Sequence, residues 1–158
     1  MAWGRALTGV RFVRVDAAEL QDFLHGSVEV TPAMREFFAH LRRRADPVLV
    51  RKQETRALAA MLDRKCVALF AFGTRERGDA VCLVARGTYV RREFRRCGLA
   101  HMLWQRVLIE YAECEHVSAT VTSRGGLRLV ESLACRHSDV VFRINDLSTR
   151  LVRVLRAA

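Results

Sequence analysis

The segment between residues 90 and 100 joins a strand pattern to a helical pattern through a short basic loop. Residues 80–90 have the composition of a strand, and from Gly98 onward apolar residues recur with the period of a helix. The first turn of a helix has free N–H groups and the positive end of the dipole, so it can bind a phosphate through its backbone. Gly98 allows close approach, and Arg95 and Arg96 add charge. The junction therefore predicts an anion site.

The rest of the chain predicts a mixed order of strands and helices. Apolar periodicity and turn residues indicate a strand at 10–15, a helix capped by Asp16 with Glu19, a helix opened by Thr31 and Pro32, a short strand at 47–50, a helical segment at 54–62, strands at 66–72 and 80–90 around a turn at 73–79, a helix at 98–114, a strand at 117–122, a turn at 123–126, a short helix at 127–133, and strands at 139–144 and 150–155. This order predicts an α+β, or mixed α/β, fold with helices covering a sheet. A chain of 158 residues that is 51% hydrophobic predicts one domain, 1–158.

The formal net charge of +10 favours partners that carry phosphate, such as CoA or nucleic acid. Nearly all of the basic residues are arginine, with lysine only at Lys52 and Lys65, which a GC-rich genome also produces. The charge alone therefore does not choose between a cofactor site and a nucleic-acid surface.

The five cysteines are too widely spaced for a zinc knuckle, and their odd number argues against a disulfide framework. We expect reduced, mostly buried thiols. His101, Cys114 and His116 could meet in space, but their spacing does not require it, so no metal site is predicted.

The expected location is intracellular, in the cytoplasm or the nucleus. Residues 1–8 lack the apolar core of a secretory signal, and no apolar run approaches the roughly 20 residues that span a bilayer. No membrane partner is therefore expected.

The loop resembles the cofactor signature of the GNAT superfamily of acyl-CoA-dependent N-acetyltransferases. That signature is Arg or Gln, two residues, Gly, one residue, then Gly or Ala, and the segment Arg95-Arg96-Cys97-Gly98-Leu99-Ala100 matches it. Val90 and Phe94 also resemble the family's approach to this loop. Downstream, residues 128–135 are similar to the family's short helix, with Ala134-Cys135 in place of its Gly-Phe pair.

The resemblance implies a GNAT-like fold, a central and mostly antiparallel sheet flanked by helices, with acetyl-CoA or another acyl-CoA as cofactor. The residues it implies for cofactor binding are Thr88, Tyr89, Val90, Arg95, Arg96, Cys97, Gly98, Leu99, Ala100 and Ser123. It also implies that the N–H of Val90 polarises the thioester carbonyl, as a preorganised donor does for a developing oxyanion.

The catalytic acid and base are not evident from the sequence. Many relatives carry a tyrosine where this chain has Val130, and the strand at 80–90 has no carboxylate. The candidates left are the Val90 backbone, Ser123 and Glu93, with Tyr89, His101, Glu110 and His116 as substitutes.

Three functions follow from these patterns. The first is an N-acetyltransferase acting on a primary amine of a protein, peptide or small molecule. The second is a GNAT-like domain that binds acyl-CoA or a protein partner without turnover. The third is a basic nucleic-acid-binding domain in which the arginine-rich loop contacts phosphates.

Overall fold

The computed structural model describes residues 7–26, 28–44, 55–147 and 149–156. Its elements are β1 (Val10–Val15), α1 (Leu20–His25), α2 (Pro32–Arg44), β2 (Arg56–Leu62), β3 (Lys65–Arg77), β4 (Ala80–Val90), a 3-10 turn (Arg92–Phe94), α3 (Leu99–Glu110), β5 (Cys114–Val121), α4 (Arg124–Arg136), β6 (Val141–Asp146) and β7 (Leu151–Leu155). Among the described helices none has both the length and the apolar character needed to cross a membrane.

The strands described form a single sheet in which spatial order follows chain order, β1 to β7. β1 to β4 are antiparallel, as are β6 and β7. Only β4–β5 and β5–β6 are parallel, and the helices α3 and α4 make these two crossovers. The prediction of a mostly antiparallel sheet covered by helices is confirmed.

Helices pack on both faces of the sheet, but they do not cover it evenly. On the first face, α3 and α4 pack through Leu99, Leu103, Trp104, Val107, Val130 and Leu133 onto a core that includes Phe70, Leu83, Val117, Phe142 and Ile144. On the second face, α1 and α2 pack through Leu20, Leu24, Met34 and Phe38 onto Ala57, Ala59, Leu69 and Ala71 of β2 and β3. The second face of β5, β6 and β7 has exposed side chains alternating with the buried ones. The molecule is therefore layered asymmetrically around its sheet.

The helical prediction at 54–62 is wrong, because β2 occupies 56–62. Its alanine, leucine and methionine content favours a helix locally. The segment lies between β1 and β3 with both faces covered, and Ala59 and Ala60 are fully buried. A strand buried on both faces reads as a continuous apolar run without alternation, which sequence periodicity cannot distinguish from a helix.

The turn predicted at 73–79 is also wrong in extent. β3 continues to Arg77, and only Gly78 and Asp79 connect it to β4. Gly78 has a φ of +65°, in the left-handed region that two-residue hairpin turns require. Residues 74–77 are polar, but they belong to the strand because their backbone pairs with that of 80–83.

Several predicted boundaries shift as well. Asp16 does not cap α1 through its side chain; the helix starts after Glu19, which has no side-chain cap. The helix predicted at 98–114 ends at Glu110, so Cys114 already belongs to β5. The turn at 123–126 is the start of α4, which runs to Arg136, and β6 extends through Asp146.

Two other predictions have different outcomes. The strand expected at 47–50 lies outside the described residues. The helix expected after Thr31 is confirmed as α2, and the Thr31 hydroxyl accepts a hydrogen bond from the Met34 N–H at 3.3 Å. The side chain of Thr31 therefore caps the first turn.

Candidate functional site

The sheet opens between β4 and β5, halfway along the parallel pair. Pairing between these strands ends at Ala85 and Ala119. Beyond that point β5 continues beside β6 as far as Val121, while 87–90 pair with β3 and with no other part of the chain that the structure describes. A bulge lies where the opening starts, because Phe72 pairs with Ala85 and Ala71 pairs with Gly87. The carboxyl ends of these two parallel strands therefore border a gap, the usual place for a ligand in such sheets.

The backbone of Thr88 and Val90 faces this gap. The N–H of Arg91 donates to the Val67 carbonyl at 2.9 Å, in register with the pairing of β3 and β4. Since alternate residues of an antiparallel strand bond to alternate sides, Tyr89 and Gly87 also bond toward β3. Thr88 and Val90 therefore direct their N–H and carbonyl groups toward the gap, as the sequence interpretation requires of the strand end.

The amino end of α3 lies at the same edge of the sheet. The first helical bond runs from the Met102 N–H to the Gly98 carbonyl at 3.0 Å, so the N–H groups of 99–101 precede any intrahelical bond. Gly98 has a φ of +79°, and a Cβ built there would meet no atom within 4 Å. The loop thus combines free donors, open space and the positive end of a helix that is buried along one face. This arrangement fits a pyrophosphate.

The two loop arginines have different positions. The Arg95 Nε donates to the Val90 carbonyl at 3.0 Å, and its guanidinium lies 5.8 Å from the Tyr89 ring centroid. Arg96 is exposed and has a φ of +62°. Both arginines are exposed; the Nε of Arg95 braces the end of β4, and Arg96 adds a second exposed positive charge to the loop.

Arg91 ties the site to the α1–α2 connection, a role that the sequence did not indicate. Its Nε donates to the Cys66 carbonyl at 2.7 Å, and its Nη2 donates to the Glu29 carbonyl at 2.6 Å. The donors of one guanidinium thus join β3, the end of β4 and the segment before α2. No local pattern around Arg91 could have predicted this, because both partners are distant in sequence.

Trp104 connects α3 to the strand that borders the gap. Its ring stacks on Phe70 with centroids 4.4 Å apart, and its Nε1 donates to the Thr88 hydroxyl at 2.8 Å. The side chain of Thr88 therefore points to α3 while its backbone faces the gap. Trp104 is buried in the core at 3% exposure.

The substitution Thr88→Val is expected to lower the free energy of unfolding by about 1–3 kcal/mol, because it leaves the buried indole N–H without an acceptor at nearly unchanged side-chain volume. Chemical denaturation measures the difference. Thr120→Val is the matched control, since Thr120 is exposed on β5 and its change should stay within about 0.5 kcal/mol. Equal stability of the two variants would show that the bond to Trp104 contributes nothing.

The acid and base candidates do not converge on the gap. Glu110 is at the far end of α3, where it forms an ion pair with Arg14. Glu93 is exposed in the 3-10 turn, and His116 is exposed on β5. The Ser123 hydroxyl accepts the Gly126 N–H at 3.1 Å and caps α4. Tyr89 packs against Phe37 of α2, with ring centroids 5.4 Å apart.

Val130 is buried in the core at 3% exposure. Its apolar side chain offers no proton to a leaving group. Ser123, at the start of α4, belongs to the same edge of the sheet as the loop, so it remains a candidate for contact with a cofactor.

His101 lies where α3 meets the end of α4. Burial, together with the charges of Arg136 and His137, lowers the pKa of His101 below its ordinary 6.5. Within the described residues no hydrogen bond reaches the Nε2 atom of His101 or of His137. The folded protein therefore favours the neutral form of His101.

Stability is expected to fall as the pH is lowered from about 7 to about 5. The unfolded chain protonates His101 near its ordinary pKa, while the folded chain protonates it only at a lower pH, so below that ordinary value the unfolded state binds more protons. The free energy of unfolding, measured by urea titration at each pH, should fall less steeply in His101→Gln. The exposed His116→Gln should keep the wild-type slope; a common slope in all three proteins would assign the pH dependence to other groups.

The five cysteines are free thiols, but the expectation that most are buried is wrong. Cys66 and Cys114 are buried, Cys82 and Cys97 are half-buried, and Cys135 is exposed. Burial raises the pKa of Cys66 to about 12 against the opposing charge of Arg91, and burial raises the pKa of Cys114 to about 11. These two thiols are therefore unreactive near neutral pH. Within the described residues no group of three histidine, cysteine or acidic side chains is arranged to hold a metal ion.

Comparison with solved structures finds neighbours that are described as acetyltransferases. An aminoglycoside acetyltransferase from an uncultured soil metagenomic sample, in complex with sisomicin, superposes with a TM-score of 0.57 at 14% identity, covering 79% of this chain and 87% of that one. A ribosomal-protein-alanine N-acetyltransferase from Brucella melitensis biovar Abortus 2308 has a TM-score of 0.52 at 16% identity, covering 78% and 90%. A predicted acetyltransferase with acetyl-CoA from Clostridium acetobutylicum has a TM-score of 0.52 at 12% identity, covering 78% and 88%.

No protein-family model and no curated protein matches the sequence. The likeness to the solved acetyltransferases is therefore a likeness of fold. It extends over more than three quarters of this chain and most of each neighbour. The chain has the fold of the GNAT acetyltransferases.

Proposed function

We propose that this protein transfers an acetyl group from acetyl-CoA to a primary amine. The observation that carries the proposal is the gap between β4 and β5, bordered by the free N–H groups at the start of α3. Solved neighbours of the same fold include a predicted acetyltransferase with acetyl-CoA. The cofactor supplies a thioester, which is an activated acyl group, and the protein has to bind and orient it.

The loop and the strand end would share the binding. The N–H groups of 98–101, with Arg96 beside them, would hold the pyrophosphate, and the small side chain of Ala100 leaves room for it. The backbone groups of Thr88 that face the gap would pair with the amide groups of the pantetheine arm, and the N–H of Val90 would lie beyond them at the thioester.

The N–H of Val90 would stabilise the negative charge that develops on the carbonyl oxygen during attack. Arg95 holds the Val90 carbonyl, so the peptide group that follows Val90 is fixed and the strand end is preorganised. A fixed donor and a fixed acceptor amine together account for most of the rate enhancement that such a site needs. No particular catalytic side chain is required for this part of the reaction.

Proton transfer would then depend on water. β4 carries no carboxylate, and Val130 cannot donate a proton to the departing thiolate. The amine must therefore lose its proton to solvent or to a side chain that approaches with the acceptor. This is compatible with slow turnover, and also with a domain that binds acyl-CoA without turnover, the alternative that the test below separates.

The acceptor would be neutral or acidic. The open face of the sheet beside the gap presents His116, Ser118 and Thr120 from β5 and Arg143 and Asn145 from β6. This face includes one guanidinium and no carboxylate from those two stretches. A polycation would find no counter-charge there, whereas a peptide with acidic residues near its amino end would be attracted to this face.

The test is calorimetric titration with acetyl-CoA and with CoA, followed by an assay of thiol release with three acceptors: a peptide with an acidic amino end, a peptide with a basic amino end and an aminoglycoside. We expect micromolar binding and turnover with the acidic peptide. Binding without turnover on any acceptor would identify a binding domain, and a folded protein that binds neither nucleotide would overturn the proposal.

A further inference from the structure

The last strand of the sheet carries an exposed apolar stripe. Among the described strands β7 is at the edge of the sheet and pairs with β6 alone. Its side chains Leu151, Val152 and Val154 are 55%, 55% and 58% exposed, and Leu147 in the preceding turn is 42% exposed. Edge strands in monomeric proteins are commonly protected by charged side chains, because their free backbone groups can pair with another chain.

The opposite edge of the sheet has that protection. β1 presents the exposed Arg11, and the guanidinium of Arg106 lies 4.1 Å from the centroid of the Phe12 ring, whereas Arg14 is paired with Glu110. On β7 the corresponding charge is turned inward. Arg153 lies 3.7 Å from Glu131 and 3.9 Å from the buried Asp146, both in its own chain. One edge of the sheet is thus guarded by cations, and the other is apolar with its charge neutralised.

We infer that β7 pairs with β7 of a second copy of this chain, antiparallel about a two-fold axis at Arg153. A two-fold interface joins the same surface of both partners, so the strand must be complementary to itself. β7 meets this condition: a register centred on Arg153 sets Leu151 opposite Leu155 and Val152 opposite Val154. The sheets of the two copies then form one continuous sheet.

The side chains of this register segregate by face. Leu155 packs against the core on the side of α3 and α4. Leu151 of the other copy would be its cross-strand neighbour on that same face. Val152 and Val154 alternate with these residues and lie on the open face, where no described helix covers β5 to β7. In the dimer the four valines become one patch. Apolar cross-strand pairs of β-branched residues stabilise antiparallel strands.

The charge of Arg153 does not oppose the pairing, because Glu131 and Asp146 of each copy neutralise it. Repulsion arises at the ends of the strand instead, where the register sets the exposed Arg150 opposite Arg156. The net charge of +10 on each copy adds to it. Salt screens repulsion between exposed charges, so association should strengthen as ionic strength rises.

The size of the contact sets its expected strength. Two short strands and their side chains bury less than the roughly 1,200 Å² at which standard specific interfaces begin. We therefore expect a reversible dimer with a dissociation constant in the micromolar range, populated at high concentration and dissociated on dilution.

Sedimentation velocity over a concentration series tests the inference, with Val154→Lys against Ile109→Lys. Each variant adds one positive charge and removes one exposed apolar side chain, since Ile109 is 72% exposed on α3, away from β7. We expect Val154→Lys to raise the dissociation constant at least about tenfold, as an edge lysine does, and Ile109→Lys to leave it within about twofold. Thermal melting confirms that both variants fold.

Hydrogen exchange gives a second readout that does not depend on a variant. Outward-facing amides of 151–155 should become protected as wild-type concentration rises through the dissociation constant, and those of 10–15 should not. A wild-type protein that stays monomeric at every concentration would overturn the inference. So would a dimer that Val154→Lys leaves intact, because another surface would then hold it together.

Discussion

Replacement of Gly98 by glutamate is expected to weaken acetyl-CoA binding by at least about a hundredfold, because it sets a carboxylate among the donors that would hold the pyrophosphate. The space at Gly98 is open, so the new side chain can be accommodated without a steric clash. Its φ of +79° adds a backbone cost of about 1–2 kcal/mol in stability for any L-residue. Calorimetry at matched protein concentration measures the loss of affinity.

Gly78→Glu separates the two effects. Gly78 also has a left-handed φ, +65°, and a Cβ there would also meet no atom within 4 Å. It lies in the β3–β4 turn, at the other end of β4 from the loop. We expect the two variants to lose similar stability and only Gly98→Glu to lose affinity. If both retained acetyl-CoA binding, the loop would not be the phosphate site.

The sequence predicted the loop and α3 well because the chemistry there is local. The glycine, the helix start and the arginines lie within one short segment, and the helix begins at Leu99, directly after Gly98. β2 was misread for the opposite reason. Whether its alanines form a helix or a strand depends on β1 and β3, which bury both of its faces.

At the candidate site, the direction of the backbone groups could be predicted better than the hydrogen-bond partners of the side chains. The direction of the Thr88 and Val90 backbone groups follows from strand alternation once the pairing with β3 is known. The destinations of Arg91 and Arg95 do not, because their acceptors are carbonyls set by tertiary contacts with Glu29, Cys66 and Val90. Adjacent arginines of one basic loop therefore differ in role, and composition alone treats them as equivalent.

The sequence of β7 likewise does not reveal where its arginine side chain points. Its sequence alternates no more clearly than that of β1, and both strands contain arginine. Only the structure shows that Arg153 turns back to Glu131 and Asp146 while Arg11 faces solvent. A charge counted in the sequence protects an edge only if it points outward.

Removal of one backbone donor tests the catalytic part of the proposal. Val90→Pro deletes the N–H that faces the gap, and it removes no bond to β3, because Val90 lies at an alternate position from the paired Tyr89 and Arg91. We expect the rate of acetyl transfer to fall about 10²–10³-fold, the cost of losing one donor to a developing oxyanion. Affinity for acetyl-CoA should change by less than about tenfold, since the phosphate contacts remain.

Val90→Ala is the control for this experiment, because it shortens the side chain and keeps the N–H. Its rate should stay within about threefold of wild type, and its stability should fall modestly, since Val90 packs only partly against the core. A slow Val90→Pro beside a normal Val90→Ala would assign the effect to the backbone donor. Equal rates for Val90→Pro and wild type would show that another group stabilises the charge, and the preorganised end of β4 would then serve binding alone.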